Sequence, residues 1–201
     1  SVTVHSATDI DKHCLQVLTG SVPGPAHVFN DLRSKLPKRA REKLEELRPD
    51  IPHVKANAVP LAEAYSSMGN YIGKRLKIMF TKDAVAGCLK HGCDCPVEPD
   101  KGGKDDTWIS NISGVACTPW SSFGNRLGWG DKMSEPDHVW VGERVARQED
   151  FIGLENSPYF DIAVHEQKLK NYQSIKLIFG PDLLGWPVRR NRMVCFSLKS
   201  S

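Results

Sequence analysis

The sequence predicts an α/β protein with a parallel, doubly wound sheet, and three observations carry that expectation. The chain opens strand–helix–strand, the unit from which parallel sheets are built. Its whole course reads β-α-β-(insertion)-β-α-β-α-β-β. Polar or reactive residues sit at the ends of the apolar runs, where sheets of this class place their ligands. With 201 residues, 40% hydrophobic and 25% charged, the composition is that of an ordinary globular domain with a sizeable core. No apolar run approaches the roughly 18 residues that span a bilayer, so no membrane segment is expected. The chain has no secretory signal and no initiating Met, which suggests a fragment of a longer protein.

Taken in order, VTVHS (2–6) within residues 1–7 is a short strand. DIDKHCLQVLTG (9–20) follows as a helix, with Ile10, Cys14, Val17 and Leu18 on one face. Pro23-Gly24-Pro25 breaks it, and HVFNDL (27–32) is the second strand. Asp9, Asp11 and Asp31 end these strands; an acid there caps a helix or accepts hydrogen bonds from a ligand. Residues 33–106 read as an insertion within a single domain. It holds a charged helix PKRAREKLEELRPD with Leu44 and Leu47 inward. A second helix has Leu61, Ala64, Tyr65 and Met68 at helical spacing, and YIGKRLKIMF and DAVAGCLKHG continue the helical run. PVEPDKGGKDD closes it as a polar loop. After the insertion come a strand in 107–117, a helix in EPDHVWVGERVARQED, a strand FIGLEN, and a helix beginning in SPYFDIAVHEQKLKN. The final strands, YQSIKLIFGPD and RMVCFSL, flank a tight turn.

The formal charge of +3 is modest but unevenly placed. Residues 33–48 carry seven Lys/Arg against three Asp/Glu, and 189–199 carries Arg189, Arg190, Arg192 and Lys199 with no acid. Such patches can supply phosphate contacts that net charge hides. Six cysteines without a secretory signal are expected to be reduced thiols in an intracellular protein, nuclear in a eukaryote or cytoplasmic in a bacterium. CLKHGCDC places Cys88, His91, Cys93 and Cys95 within eight residues. Zinc favours such ligands, but the paired CxxC framework is lacking, and a helix end with free thiols is the reading the spacing favours.

Chemistry concentrates in three places. Cys117 follows an apolar lead-in and opens the rigid loop TPWSSFG. A thiol there is either a buried structural residue or, ionised by nearby positive charge, a nucleophile. Glu155-Asn156 ends the strand FIGLEN; the carboxyl group is a proton donor if its pKa is raised, and the pair is otherwise a helix cap. Arg190 and Arg192 alternate at the start of the last strand and so are expected to face one side, suited to phosphate or carbonyl oxygens.

Their order and spacing resemble those of the cytosine-5 DNA methyltransferases over most of the chain. ACTPWSSFGNRLGWGD resembles the nucleophile motif at Cys117, with Ser122 in its trailing Phe-Ser-x-x-Gly pattern. Glu155-Asn156 resembles the Glu-Asn-Val motif, and PVRRNR the arginine motif at Arg190 and Arg192. DIDKHC resembles the motif that grips S-adenosylmethionine, with Asp9 on the ribose and Ile10 against the adenine; HVFNDL places Asp31 on the adenine amino group. Ala116, Val188 and Ser157 stand where the family has Pro, Gln and Val. The resemblance implies a Rossmann-like, S-adenosylmethionine-dependent methyltransferase fold, incomplete at its N-terminal strand and lacking the target-recognition region. It implies catalytic roles for Cys117, Glu155, Arg190 and Arg192, and substrate contacts from Asn156 and Ser122. DNA is the implied partner, with RNA as the alternative substrate and an inactive, methyltransferase-like binding protein as the rival reading.

Overall fold

The computed structural model of the chain describes residues 2–48, 58–99, 107–122, 124, 126–188 and 190–200. In chain order the elements are β1 (Ser6–Thr8), α1 (Lys12–Gly20), β2 (His27–Phe29), α2 (Lys38–Leu47), α3 (Ala58–Gly73), α4 (Leu76–Met79), β3 (Val85–Cys88), β4 (Cys93–Pro96), β5 (Ser110–Ser113), α5 (Glu135–Arg147), β6 (Phe151–Asn156), α6 (Ala163–Lys168), β7 (Tyr172–Phe179) and β8 (Arg192–Lys199). Phe123, residues 49–57 and 100–106, and the side chains of Leu61 and Ala64 lie outside the described residues. Strands β1 and β2 pair in parallel across α1, and β5 and β6 pair in parallel across a connection that includes α5. This is the α/β, Rossmann-like class that the sequence predicts. No described helix is long and apolar enough to cross a membrane.

The chain divides into two compact units, residues 1–46 with 77–105, and residues 47–76 with 106–201. In the first, α1 begins where the Asp11 carboxylate accepts the backbone N–H groups of His13 and Cys14, at 2.8 and 3.0 Å. These bonds hold its carboxyl below the usual carboxylate range. Val28 and Phe29 of β2 are fully buried and α2 turns Ala40 and Leu44 inward; Leu47, expected to point inward, belongs to the second unit and is half-buried.

The segment read as helical in DAVAGCLKHG is instead an antiparallel hairpin, with Cys88 opposite Cys93 and Ala86 opposite Cys95. Three features favour it over a helix. Val85 and Gly87 are poor helix formers; Ala86 and Cys88 alternate inward with period two; and Gly92 takes a left-handed φ of 67° at the turn. The hairpin docks on β2, where Leu89 N–H donates to the Val28 carbonyl at 2.8 Å.

The second unit holds a four-stranded mixed sheet in the order β5-β6-β8-β7, with β8 antiparallel to both neighbours. Its core is Ile152 and Leu154 of β6, Met193 and Cys195 of β8, and Val139, Trp140 and Val141 of α5. The strand expected over 107–117 is only four residues long, leaving Trp108 exposed before it and Val115 to Cys117 free to turn after it. Edge strand β7 is buried only at Tyr172 and exposes Ile175, Leu177 and Ile178.

Helix α5 is buried nearly all round, so its polar residues must be paired. Glu135 accepts from Arg48 at 2.7 Å, and Asp137 pairs with His165 at 3.0 Å. Arg144 reaches Glu143 at 2.7 Å and Glu149 at 2.9 Å, and Arg147 reaches Glu143 at 2.9 Å. Burial nevertheless pushes the Glu149 carboxyl up and lowers Arg147 to about 10. Acids in the first turn and arginines in the last complement the helix dipole.

Candidate functional site

Cys117 is half-buried and stands immediately before a 3₁₀ turn, Thr118–Trp120, in which Pro119 suits the first turn. The Cys117 carbonyl accepts the Trp120 N–H at 3.0 Å, and Gly124 N–H donates to Ser121 O at 3.1 Å. The loop folds so tightly that a Cβ on Gly124 would collide with the Thr118 carbonyl oxygen. Only glycine fits there without a shift of backbone. Ser122 lies exposed on this loop.

The end of β6 ties the loop down at both sides of the thiol. Asn156 is wholly buried; its Nδ2 donates to the Val115 carbonyl at 3.3 Å and its Oδ1 accepts the Ser157 N–H at 2.7 Å. Ser157 Oγ donates to the Trp120 carbonyl at 3.1 Å. Two side chains thus hold the carbonyls two residues before and three residues after Cys117. Ser157 takes this part although it stands where the resemblance expects Val, and its neighbour Asn156 has both ends of its amide engaged with backbone. A polar residue at a strand end marked Asn156 in the sequence, and the same signal could have found Ser157.

Parallel pairing of Ser113 with Leu154 brings the next residues, Gly114 and Glu155, side by side. The Glu155 carboxylate lies over Gly114, with Oε2 3.4 Å from where a Cβ would be. Its Oε1 accepts from Arg192 Nε at 2.6 Å. Glu155 is 47% exposed and Arg192 23% exposed, so the pair contributes little to stability and serves to orient the carboxylate. Strand β8 begins at Arg192, not earlier, so the period-two expectation that Arg190 and Arg192 share a face does not extend to Arg190. Arg190 is exposed in the preceding coil.

Beneath the loop, Trp120 packs on Phe160 and Trp129, with ring centroids 4.4 and 5.1 Å apart. This aromatic floor continues through Trp129 to His138, 4.9 Å away. It fixes the rear of the thiol turn with large rigid side chains.

In the first unit, Asp9 and Ile10 follow β1. Asp9 Oδ1 accepts the Asp11 N–H at 2.8 Å, and Ile10 is 73% exposed. A carboxylate with acceptor capacity left and an open apolar side chain fit a nucleoside. Asp31 caps the turn after β2 and holds Arg33, whose Nε and Nη2 reach Oδ2 at 2.9 and 2.7 Å. Cys88, His91 and Cys95 converge, but the fourth member of their cluster is His27 from β2, with all four donor atoms within 4.8 Å of one another. Cys93, from the sequence reading, is exposed and lies outside that set. Spacing along the chain could not show His27, which is sixty-one residues before Cys88.

No protein family's model matches the chain, and no curated protein matches it. Solved structures do show likenesses. One is the Dnmt2 methyltransferase of S. pombe, 19% identical, covering 46% of this chain and 31% of that one at a TM-score of 0.35. Another is the Entamoeba histolytica methyltransferase EhMeth, 10% identical, covering 100% of this chain and 54% of that one at a TM-score of 0.43. The chain therefore spans about half the length, or less, of the methyltransferases to which it is similar.

Proposed function

We propose that this chain is part of a cytosine-5 DNA methyltransferase in which Cys117 is the nucleophile. The observation that carries the reading is the thiol turn itself: Cys117 stands between two carbonyls anchored by Asn156 and Ser157, and the residue before Asn156, Glu155, carries a carboxylate oriented by Arg192. The motif order seen in the sequence supports it.

Cytosine carbon 5 is a weak nucleophile. Addition of the Cys117 thiolate to carbon 6 places electron density on carbon 5, and Glu155 contacts N3 to stabilise the charge developing there. Arg192 positions Glu155, and exposed Arg190 is available to nucleic-acid phosphate. Asn156, buried and fully engaged, positions the loop rather than touching the base. Exposed Ser122 is left to contact the substrate. When bound, S-adenosylmethionine supplies an electrophilic methyl group for carbon 5. Asp9 would hold its ribose, Ile10 would pack on the adenine, and Asp31 would meet the adenine amino group. Loss of the proton from carbon 5 then expels the Cys117 sulfur from carbon 6, which restores the ring double bond and frees the enzyme. Reaching carbon 6 requires the base to leave its stack, at a cost of a few kcal/mol.

Incubating the full protein with S-adenosylmethionine and oligonucleotides containing 5-fluorocytosine tests this. A covalent complex that survives denaturant is expected on duplex DNA, and none with Cys117→Ser. Undiminished trapping by Cys117→Ser refutes the nucleophile. Trapping confined to a transfer RNA replaces the DNA reading with the RNA one. No trapping, together with no heat of S-adenosylmethionine binding in titration calorimetry, leaves a methyltransferase-like binding protein.

A further inference from the structure

We propose that His27, Cys88, His91 and Cys95 form a structural zinc site, independent of the methyltransferase reading. Each contributes one donor atom, and the four lie within 4.8 Å of one another. Zinc bound by thiolate at roughly 2.3 Å and imidazole at roughly 2.0 Å has ligand–ligand edges of about 3.3–3.8 Å. Two edges are already close to that length: His91 Nδ1 is 3.2 Å from Cys95 Sγ and 3.6 Å from Cys88 Sγ. Closing the others needs shifts of about 1 Å, within the reach of side-chain rotation.

The donor set is the chemistry zinc selects, two sulfurs and two imidazoles. Two thiolates cancel the charge of one divalent ion, so the filled site is neutral. That suits its partly apolar surroundings, where Cys88 and Cys95 pack with Phe29, Ala86 and Val97. Four protein ligands leave no open position, which marks a structural rather than a catalytic centre.

Two further observations point to a ligand. His27 Nδ1 is buried with no hydrogen-bond partner among the described residues, and a buried polar atom of this kind calls for one. Cys88 Sγ accepts the Val28 N–H at 3.4 Å, the outer-sphere contact that favours a thiolate.

Local structure places the four without strain. Cys88 and Cys95 lie on the inward face of the hairpin, and His91 sits in its turn just before Gly92. His27 opens β2, on which the hairpin docks, and Lys90 Nζ donates to the Pro25 carbonyl at 2.8 Å beside it. An ion here would cross-link two strand pairs, β1–β2 and β3–β4, that are hydrogen-bonded as separate sheets.

Elemental analysis of the full protein, purified under reducing conditions and dialysed against zinc, is expected to find one zinc per chain. His27→Ala and Cys95→Ser should each reduce it to background, whereas Cys93→Ser should keep it. Cobalt substitution of the unaltered protein should give the visible spectrum of a tetrahedral two-sulfur, two-nitrogen site, and it decides the matter if a ligand variant fails to fold. Absence of both zinc and the cobalt spectrum overturns the proposal, as does a Cys88–Cys95 disulfide in the reduced preparation. Zinc kept by His27→Ala but lost by Cys93→Ser overturns the ligand set.

Discussion

Asn156 shows how one buried amide can shape a reactive loop. It is closed to bulk solvent, so its hydrogen bonds to the backbone satisfy groups that burial would otherwise leave unpaired. Asn156→Ala strands the Val115 carbonyl and the Ser157 N–H, and should lower stability by about 1–3 kcal/mol in urea unfolding. Because the loop is also loosened, alkylation of Cys117 by iodoacetamide, followed by mass spectrometry, should quicken; an unchanged rate would mean the amide does not restrain the thiol. At this scale the sequence was partly legible. Cys117, Glu155 and Arg192 are marked by residue type and position, and of these Glu155 and Arg192 meet in an ion pair. Ser157 and Gly114 were not, because their roles arise from strand pairing between segments some forty residues apart.

Among the elements, α5 is the clearest case of local and global preference agreeing. Its first-turn acids, its Pro136 and its last-turn arginines predict a helix, and one is found at Glu135–Arg147. What the pattern could not show is that the polar face is buried too. Replacing Arg144 by Met leaves Glu149 without its main partner in a dry setting, and should cost about 3–5 kcal/mol by urea denaturation. Adding Glu149→Leu should recover much of that loss, since two apolar groups then replace a pair; failure to recover would mean the charges are not coupled. DAVAGCLKHG, expected to be helical, supplies instead the first strand and the turn of the hairpin at 85–96. Its apolar residues are small and few, so helical spacing and strand alternation both fit a short window. The left-handed Gly92 and docking on β2 decide for strands.

For the molecule as a whole, the α/β class and the order of strands were legible because apolar runs and helical patterns alternate in sequence. The division into two compact units was not, since it depends on which distant segments meet. Acid sensitivity follows from burial in the same way. His138 is held to a pKa of about 4 chiefly by burial, with Asp137 opposing and Lys168 and His165 assisting. The unfolded chain protonates it near the ordinary 6.5, so below that pH the unfolded state binds more protons. Its contribution is therefore complete above pH 6.5 and diminishes as pH falls toward about 4, with about 2 kcal/mol gone by pH 5. Urea midpoints measured from pH 7.5 to 5 should show that slope in the unaltered protein and lose it in His138→Leu. Equal slopes would assign the acid sensitivity to other groups.

The Glu155–Arg192 pair has one more consequence, and it is entropic. A glutamate and an arginine free in solution each hold roughly 1.5–2 kcal/mol of rotamer freedom that must be surrendered on becoming fixed. Here each restricts the other through a single short bond across neighbouring strands, before any ligand arrives. A molecule that binds this carboxylate meets a group already aimed, so more of its contact energy is left for holding the molecule itself.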